Sequence, residues 1–226
     1  MAAVVVVVEI IPIDYRLALH YKVYMKTDEA EQNLQVIRTL MERSTIYQRA
    51  LRPIMWWAGL GAIVSAGVGC LWVCQHNPPH VFILHWLVTG LVILAGAFML
   101  ARRQASRDKE AFWSPSARRV AQAMLPALLT GLFVTIPVVI YGGSGKLIVG
   151  GWAMMYGCAL HAAGFFAPRG LRVLGWLFLL CGMCWWTVLV TTSWASALSL
   201  HVVMGLIFGG LHLGYAICLT VTKRES

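Results

Sequence analysis

No aspartate or glutamate occurs between Glu42 and Asp108, and none occurs between Glu110 and Glu225. The long apolar runs that fill these intervals therefore hold no carboxylate. Ion-coupled transporters ordinarily bind their coupling ion through an intramembrane carboxylate or a broken helix pair, so transport by this chain is left without support. The motifs G-x-S-x-G, H-E-x-x-H and the phosphate-binding loop are also missing, which removes the common hydrolase, zinc-protease and nucleotide-hydrolase readings. Charge of either sign is scarce. Only 12% of the 226 residues are charged while 59% are hydrophobic, and the mean hydropathy is +0.73. A soluble domain of this size has nowhere to bury that much apolar surface, so the chain reads as a membrane protein with the lipid bilayer as its solvent. The formal charge of +9 lies in short segments between apolar runs. There it sets topology rather than contacting a phosphate backbone, so nucleic acid is excluded as a partner. The six cysteines all fall in or beside apolar segments, where a thiol behaves as a small hydrophobe, and they do not form a disulfide framework.

Six apolar runs of about 20 residues are present, each the length a helix needs to cross the hydrocarbon layer. They lie near 53–74, 81–100, 120–141, 147–166, 173–192 and 198–220, and they predict an all-α polytopic bundle of six transmembrane helices over 53–222. Residues 25–52 form a separate cytoplasmic segment. Asp28 is placed to cap a helix that carries Glu29 and Glu31 in its first turn and Leu34, Ile37 and Met41 at helical spacing. This is an amphipathic juxtamembrane helix near 28–48, whose apolar stripe suits a cytoplasmic protein partner or self-association. Residues 1–24 differ again, because the Val4–Val8 run is broken at Glu9 and Pro12 and is too short to span. Met25 is accordingly the expected start, with 1–24 an over-extended or disordered N-terminus.

Counting lysines and arginines beside the spans sets the orientation. Four arginines from Arg38 to Arg52 fall on one side, with Arg102, Arg103, Arg107, Lys109, Arg118 and Arg119 of the second loop, Arg169 and Arg172 of the fourth, and Lys223 and Arg224. Only Lys146 falls on the other. This bias predicts a bacterial inner-membrane protein with both termini in the cytoplasm. Trp56, Trp57 and Trp176 then sit at the inner interface, Trp72, Trp86, Trp152 and Trp194 at the outer one, and Trp185 and Trp186 deeper as packing residues. Small residues four apart, Gly61/Ser65/Gly69, Gly205/Gly209 and Gly210/Gly214, are candidates for close helix contact. Pro126 and Pro137 are expected to kink the third span.

Polar rings inside hydrocarbon are costly unless they find partners, which singles out four histidines. His201 and His212 lie eleven residues apart, close to three turns, and so are expected on one face of the sixth helix about 16 Å apart. His85 shares the level of His201, and His161 that of His212. The plain expectation is that each donates a structural hydrogen bond to a neighbouring helix. The alternatives are a polar solute path and a transmembrane cytochrome in which His85 with His201, and His161 with His212, bind haem b. A second set, Cys70, Cys74, His76 and His80 in "CLWVCQHNPPH", has ligand types suited to zinc or copper, although a polar turn explains the same residues. Cys181 and Cys184 spell C-x-x-C, but mid-span they read as packing.

The acidic amphipathic start "NLQVIRTLMERSTIYQRAL", the loop "FWSPSARRVAQAMLP" and the phrases "YGCALHAAGFFAPRG" and "GGLHLGYAICL" together resemble a bacterial family of six-helix integral membrane proteins with no assigned activity. The resemblance covers 25–222. It implies a fold and a location but no catalytic residue. The sequence therefore predicts a non-enzymatic membrane component acting through helix packing and its cytoplasmic face, with a haem- or metal-binding membrane redox protein as the alternative and no resident cofactor in the main reading.

Overall fold

A computed structural model describes residues 50–72, 79–109, 112–141, 144–193 and 197–222. The amphipathic helix near 28–48, residues 1–24, Cys74, His76 and Trp194 lie outside the described residues. Among the described residues no strand occurs, and the helices are α1 (Ala50–Trp72), α2 (Pro79–Arg107), α3 (Pro115–Ile140), α4 (Gly145–Ala163), α5 (Arg169–Thr191) and α6 (Leu200–Val221). Five of them, all except α4, are long and apolar enough to cross a membrane. Residues 50–52, read from sequence as the end of the amphipathic segment, belong to α1.

Where the helices end departs from the hydropathy boundaries. α2 runs on through Ala101–Arg107, and α3 begins at Pro115, so much of the basic second loop is helical. Hydropathy marks where lipid begins, whereas caps mark where a helix stops. Nothing in "ARRQASR" breaks a helix, and α2 closes at Lys109, which adopts the left-handed conformation at φ 52°. Ser114 then accepts a hydrogen bond from the Ala117 N–H at 3.3 Å, with Pro115 at the first helical position. Pro126 and Pro137 both lie within the continuous α3.

The hairpin of α4 and α5 is the centre of the bundle. α4 buries a little over half of its circumference, from Ile148, Val149 and Ala153 to Leu160 and Ala163, and leaves Leu147 exposed on the rest. Its glycines alternate with those of α5. A Cβ on Gly157 would lie 2.7 Å from the Gly175 carbonyl oxygen, one on Gly175 would lie 2.6 Å from the His161 backbone nitrogen, and one on Gly182 would lie 2.8 Å from the Gly150 oxygen. Backbone therefore meets backbone along this seam, with one glycine per two turns on each helix. The spacing of seven, Gly150/Gly157 against Gly175/Gly182, is that of a left-handed antiparallel pair.

A second seam joins α1 to α6. A Cβ on Gly205 would sit 2.6 Å from the Ala66 Cβ, and one on Gly209 would sit 2.7 Å from Ile63 and 3.2 Å from the Gly59 oxygen. Gly205/Gly209 thus pack as their spacing suggests. Gly210 and Gly214 face open space instead, and Gly61 packs on Ile93 of α2. Two layers of core result. One gathers Ala62, Ala66, Phe82, Trp86, Val149, Trp185 and Met204, the other Met55, Ala153, Leu160, Leu174, Phe178 and Ala216. α3 is the peripheral helix, with Thr135 its buried polar residue and Phe133 66% exposed.

Candidate functional site

The sixth helix is not a regular α-helix. Between Leu200–Met204 and Leu211–Val221 its backbone widens into a π-helix over Gly205–Gly210. The sequence "GLIFGG" permits this, since three glycines lower the steric cost of a wide turn and two of them are pressed against α1. Wide turns of this kind recur where a helix must re-aim a side chain. Here the consequence is rotational. The extra residue in the turn shifts everything beyond it by roughly 100°, so the expectation that His201 and His212 share a face is corrected: His201 faces α1 and α2, and His212 faces α4 and α5.

His212 is 4% exposed, with both ring nitrogens engaged. Nδ1 lies 2.6 Å from the Phe208 carbonyl oxygen. A carbonyl only accepts, so Nδ1 carries the hydrogen and Nε2 presents a lone pair. Tyr156 of α4 donates its hydroxyl to that lone pair at 2.9 Å. Phe178 and Phe208 close the remaining sides, with ring centroids 5.3 Å from His212 and 5.1 Å from each other. His212 thus accepts the interhelical bond and donates to its own helix, the reverse of the donor role read from the sequence.

His201 also accepts an interhelical bond, but through its other ring nitrogen. The Trp86 indole N–H donates to His201 Nδ1 at 3.2 Å, joining α2 to α6. His85 takes a separate partner: its Nε2 lies 3.1 Å from the Ser65 carbonyl oxygen and 2.8 Å from the Ser65 hydroxyl. Ser65 is also 2.6 Å from Thr89, whose hydroxyl donates back to the His85 carbonyl at 2.9 Å. Carbonyl acceptors fix the direction of this relay, so the His85 Nε2 is a donor and α1 is tied to α2.

Neither histidine pair fits a haem. An iron between two imidazoles needs both rings to point at it from opposite faces of a macrocycle. His85 and His201 are instead in edge contact, with centroids 5.2 Å apart at 82°, and Trp86 occupies the Nδ1 of His201. His161 does not meet His212, because its ring packs edge-on against Phe165 and Trp176, each at 5.4 Å. Of the proposed metal set, Cys70 and His80 are among the described residues: Cys70 is exposed and its sulfur lies 3.6 Å from the Ser199 hydroxyl, while His80 is exposed at the start of α2. No group of three or more His, Cys, Asp or Glu able to hold a metal ion occurs among the described residues.

Sequence reasoning missed the role of the indoles. Trp57 donates to the Ile93 carbonyl at 3.1 Å, Trp152 to the Thr135 hydroxyl at 2.8 Å, and Trp185 and Trp186 to the carbonyls of Lys146 and Leu147 at 2.9 and 3.0 Å. With Trp86, five tryptophans bridge neighbouring helices. Two expectations change as a result. Trp86, read as an interfacial residue, is buried, and Trp185 and Trp186 stand level with the first turn of α4. A buried indole N–H has no water to bond and must find an acceptor on another helix. The indoles set directional polar bonds among the apolar and glycine packing of four helix pairs, α1–α2, α2–α6, α3–α4 and α4–α5, which fixes their register. No family model matches the chain, nor does any curated protein or solved structure.

Proposed function

We propose that the chain is a non-enzymatic component of the bacterial inner membrane that crosses it six times, keeps both termini in the cytoplasm, and works through its packed bundle and its cytoplasmic face. The observation that carries this reading is the inverted distribution of polarity. His201, His212 and Thr135 are buried and partnered, while large apolar side chains such as Leu91, Phe133 and Val190 point outward along helices long enough to span. The sixth crossing is α4. At 19 residues it covers about 28 Å, close to the hydrocarbon thickness. Its four glycines, Lys146 and His161 lower its hydropathy, and most of its glycines and alanines pack against protein, where lipid-facing leucines are not needed. The resemblance noted in the sequence supports the same location.

The reading separates from a redox protein by optical spectroscopy. Purified full-length chain is expected to show no Soret band and no reduced-minus-oxidised difference spectrum. A Soret band lost equally in His212→Ala and His161→Ala would overturn it, since a bis-histidine site loses its ligand field with either partner.

A further inference from the structure

We propose that the end of α2 and the start of α3 form a binding surface for the headgroups of anionic phospholipids, made by Arg102, Arg103, Arg118 and Arg119 with Trp113. Three observations converge on it. First, α2 has 29 residues and is about 43 Å long, well beyond about 30 Å of hydrocarbon. Its Arg107 end stands among headgroups and carries Arg102, Arg103 and Arg107, all exposed. Second, Phe112, three residues before α3, packs back on α2. Its ring meets Phe98 edge-on with centroids 4.6 Å apart, one turn before Arg102, and Arg118 and Arg119 are exposed early in the helix that follows. Trp113 beside it is 59% exposed, an amphipathic ring suited to the headgroup zone.

Third, this charge is not neutralised within the described residues. Asp108, their acidic residue, accepts a hydrogen bond from Gln104 at 2.9 Å, and the first turn of α3 has no acidic residue. A guanidinium presents paired donors that match a phosphate bidentately, and each cation near an anionic surface adds to its attraction. Four of them exposed on the adjoining ends of two consecutive helices, with an exposed indole between them in the chain, match a layer of phosphodiesters rather than a single soluble anion. The proposal rests on the six-span reading only for which leaflet is met.

The test uses the purified full-length chain in neutral detergent micelles, where threading plays no part, so its failure is distinct from failure of the topology. Phosphatidylglycerol and phosphatidylcholine of identical acyl chains are titrated in and bound lipid is counted by native mass spectrometry. Phosphatidylglycerol should bind about tenfold more tightly than phosphatidylcholine, and the preference should vanish in R102Q/R103Q/R118Q/R119Q and persist in the corresponding four-lysine variant. Should the glutamine variant fail to fold, the wild-type preference should still shrink as salt rises from about 50 to 500 mM. Equal binding of the two lipids, a preference that survives the four glutamines, or one insensitive to salt would overturn the proposal. So would inorganic phosphate competing at lipid-like concentrations, which would indicate a free-phosphate site.

Discussion

Gly175→Leu is expected to abolish the folded bundle, while Gly151→Leu is expected to leave it intact. Both glycines lie in the α4–α5 hairpin, so helix propensity and hydrophobicity change alike at the two sites. What differs is the space. A Cβ on Gly175 already meets the backbone of His161 at 2.6 Å and the Gly157 oxygen at 2.8 Å, whereas one on Gly151 meets nothing within 4 Å. Backbone cannot step aside as a side chain can, so the helices would have to separate, breaking the Trp185 and Trp186 bonds at the far end of the seam. Overpacking ordinarily costs about 1–3 kcal/mol and more where backbone must move, a large share of a total stability of about 5–15 kcal/mol. Monodisperse yield and the thermal unfolding midpoint in detergent read the difference. Equal midpoints for the two variants would show that the α4–α5 seam is not the tight contact described.

Breaking the Tyr156–His212 bond gives the second-largest expected effect, and a double-mutant cycle isolates it. His212→Ala leaves a cavity beside Phe178 and strands the Tyr156 hydroxyl, and is expected to cost about 2–3 kcal/mol. Tyr156→Phe removes the donor alone and should cost about 1 kcal/mol, leaving the His212 lone pair unpaired. The double variant should be less destabilised than the sum, by about 0.6 kcal/mol, the average for interhelical bonds in a bilayer protein. His212→Asn should recover part of the loss, because its amide oxygen still accepts from Tyr156. Strict additivity, or no rescue by asparagine, would remove the bond from the account.

These two contacts also show where the sequence was readable. The length of an apolar run is a one-dimensional property, and the helices of 20 or so residues are accordingly visible as hydropathy. Depth is one-dimensional too, and His85 does lie beside His201 as their shared level suggests. Azimuth is not. Eleven residues imply a common face only if the turn is constant, and the π-helix at Gly205–Gly210 breaks that assumption, sending His212 to Tyr156 instead of His161. The glycine seams were half legible for a related reason. A spacing of four is a familiar sign of close helix contact, and Gly205/Gly209 show it. The long α4–α5 contact needs one glycine every two turns, and isolated glycines seven apart look unremarkable until both helices are seen together. The indole bonds were hidden altogether, because an apolar ring that anchors at an interface and one that donates across a helix pair have the same residue code.

The six-crossing topology is tested most directly by reporter fusions to the full chain. Fusions at Gly143 and Ser196 are expected to report the periplasm, and fusions at Ser114 and after Ser226 the cytoplasm. The pair at Ser114 and Gly143 reads the crossing by α3, and the pair at Gly143 and Ser196 brackets α4 and α5 together. An insertion between Phe165 and Pro168 reporting the cytoplasm would separate those two crossings. The same insertion reporting the periplasm, or an odd number of crossings between Ser114 and the C-terminus, would contradict the account.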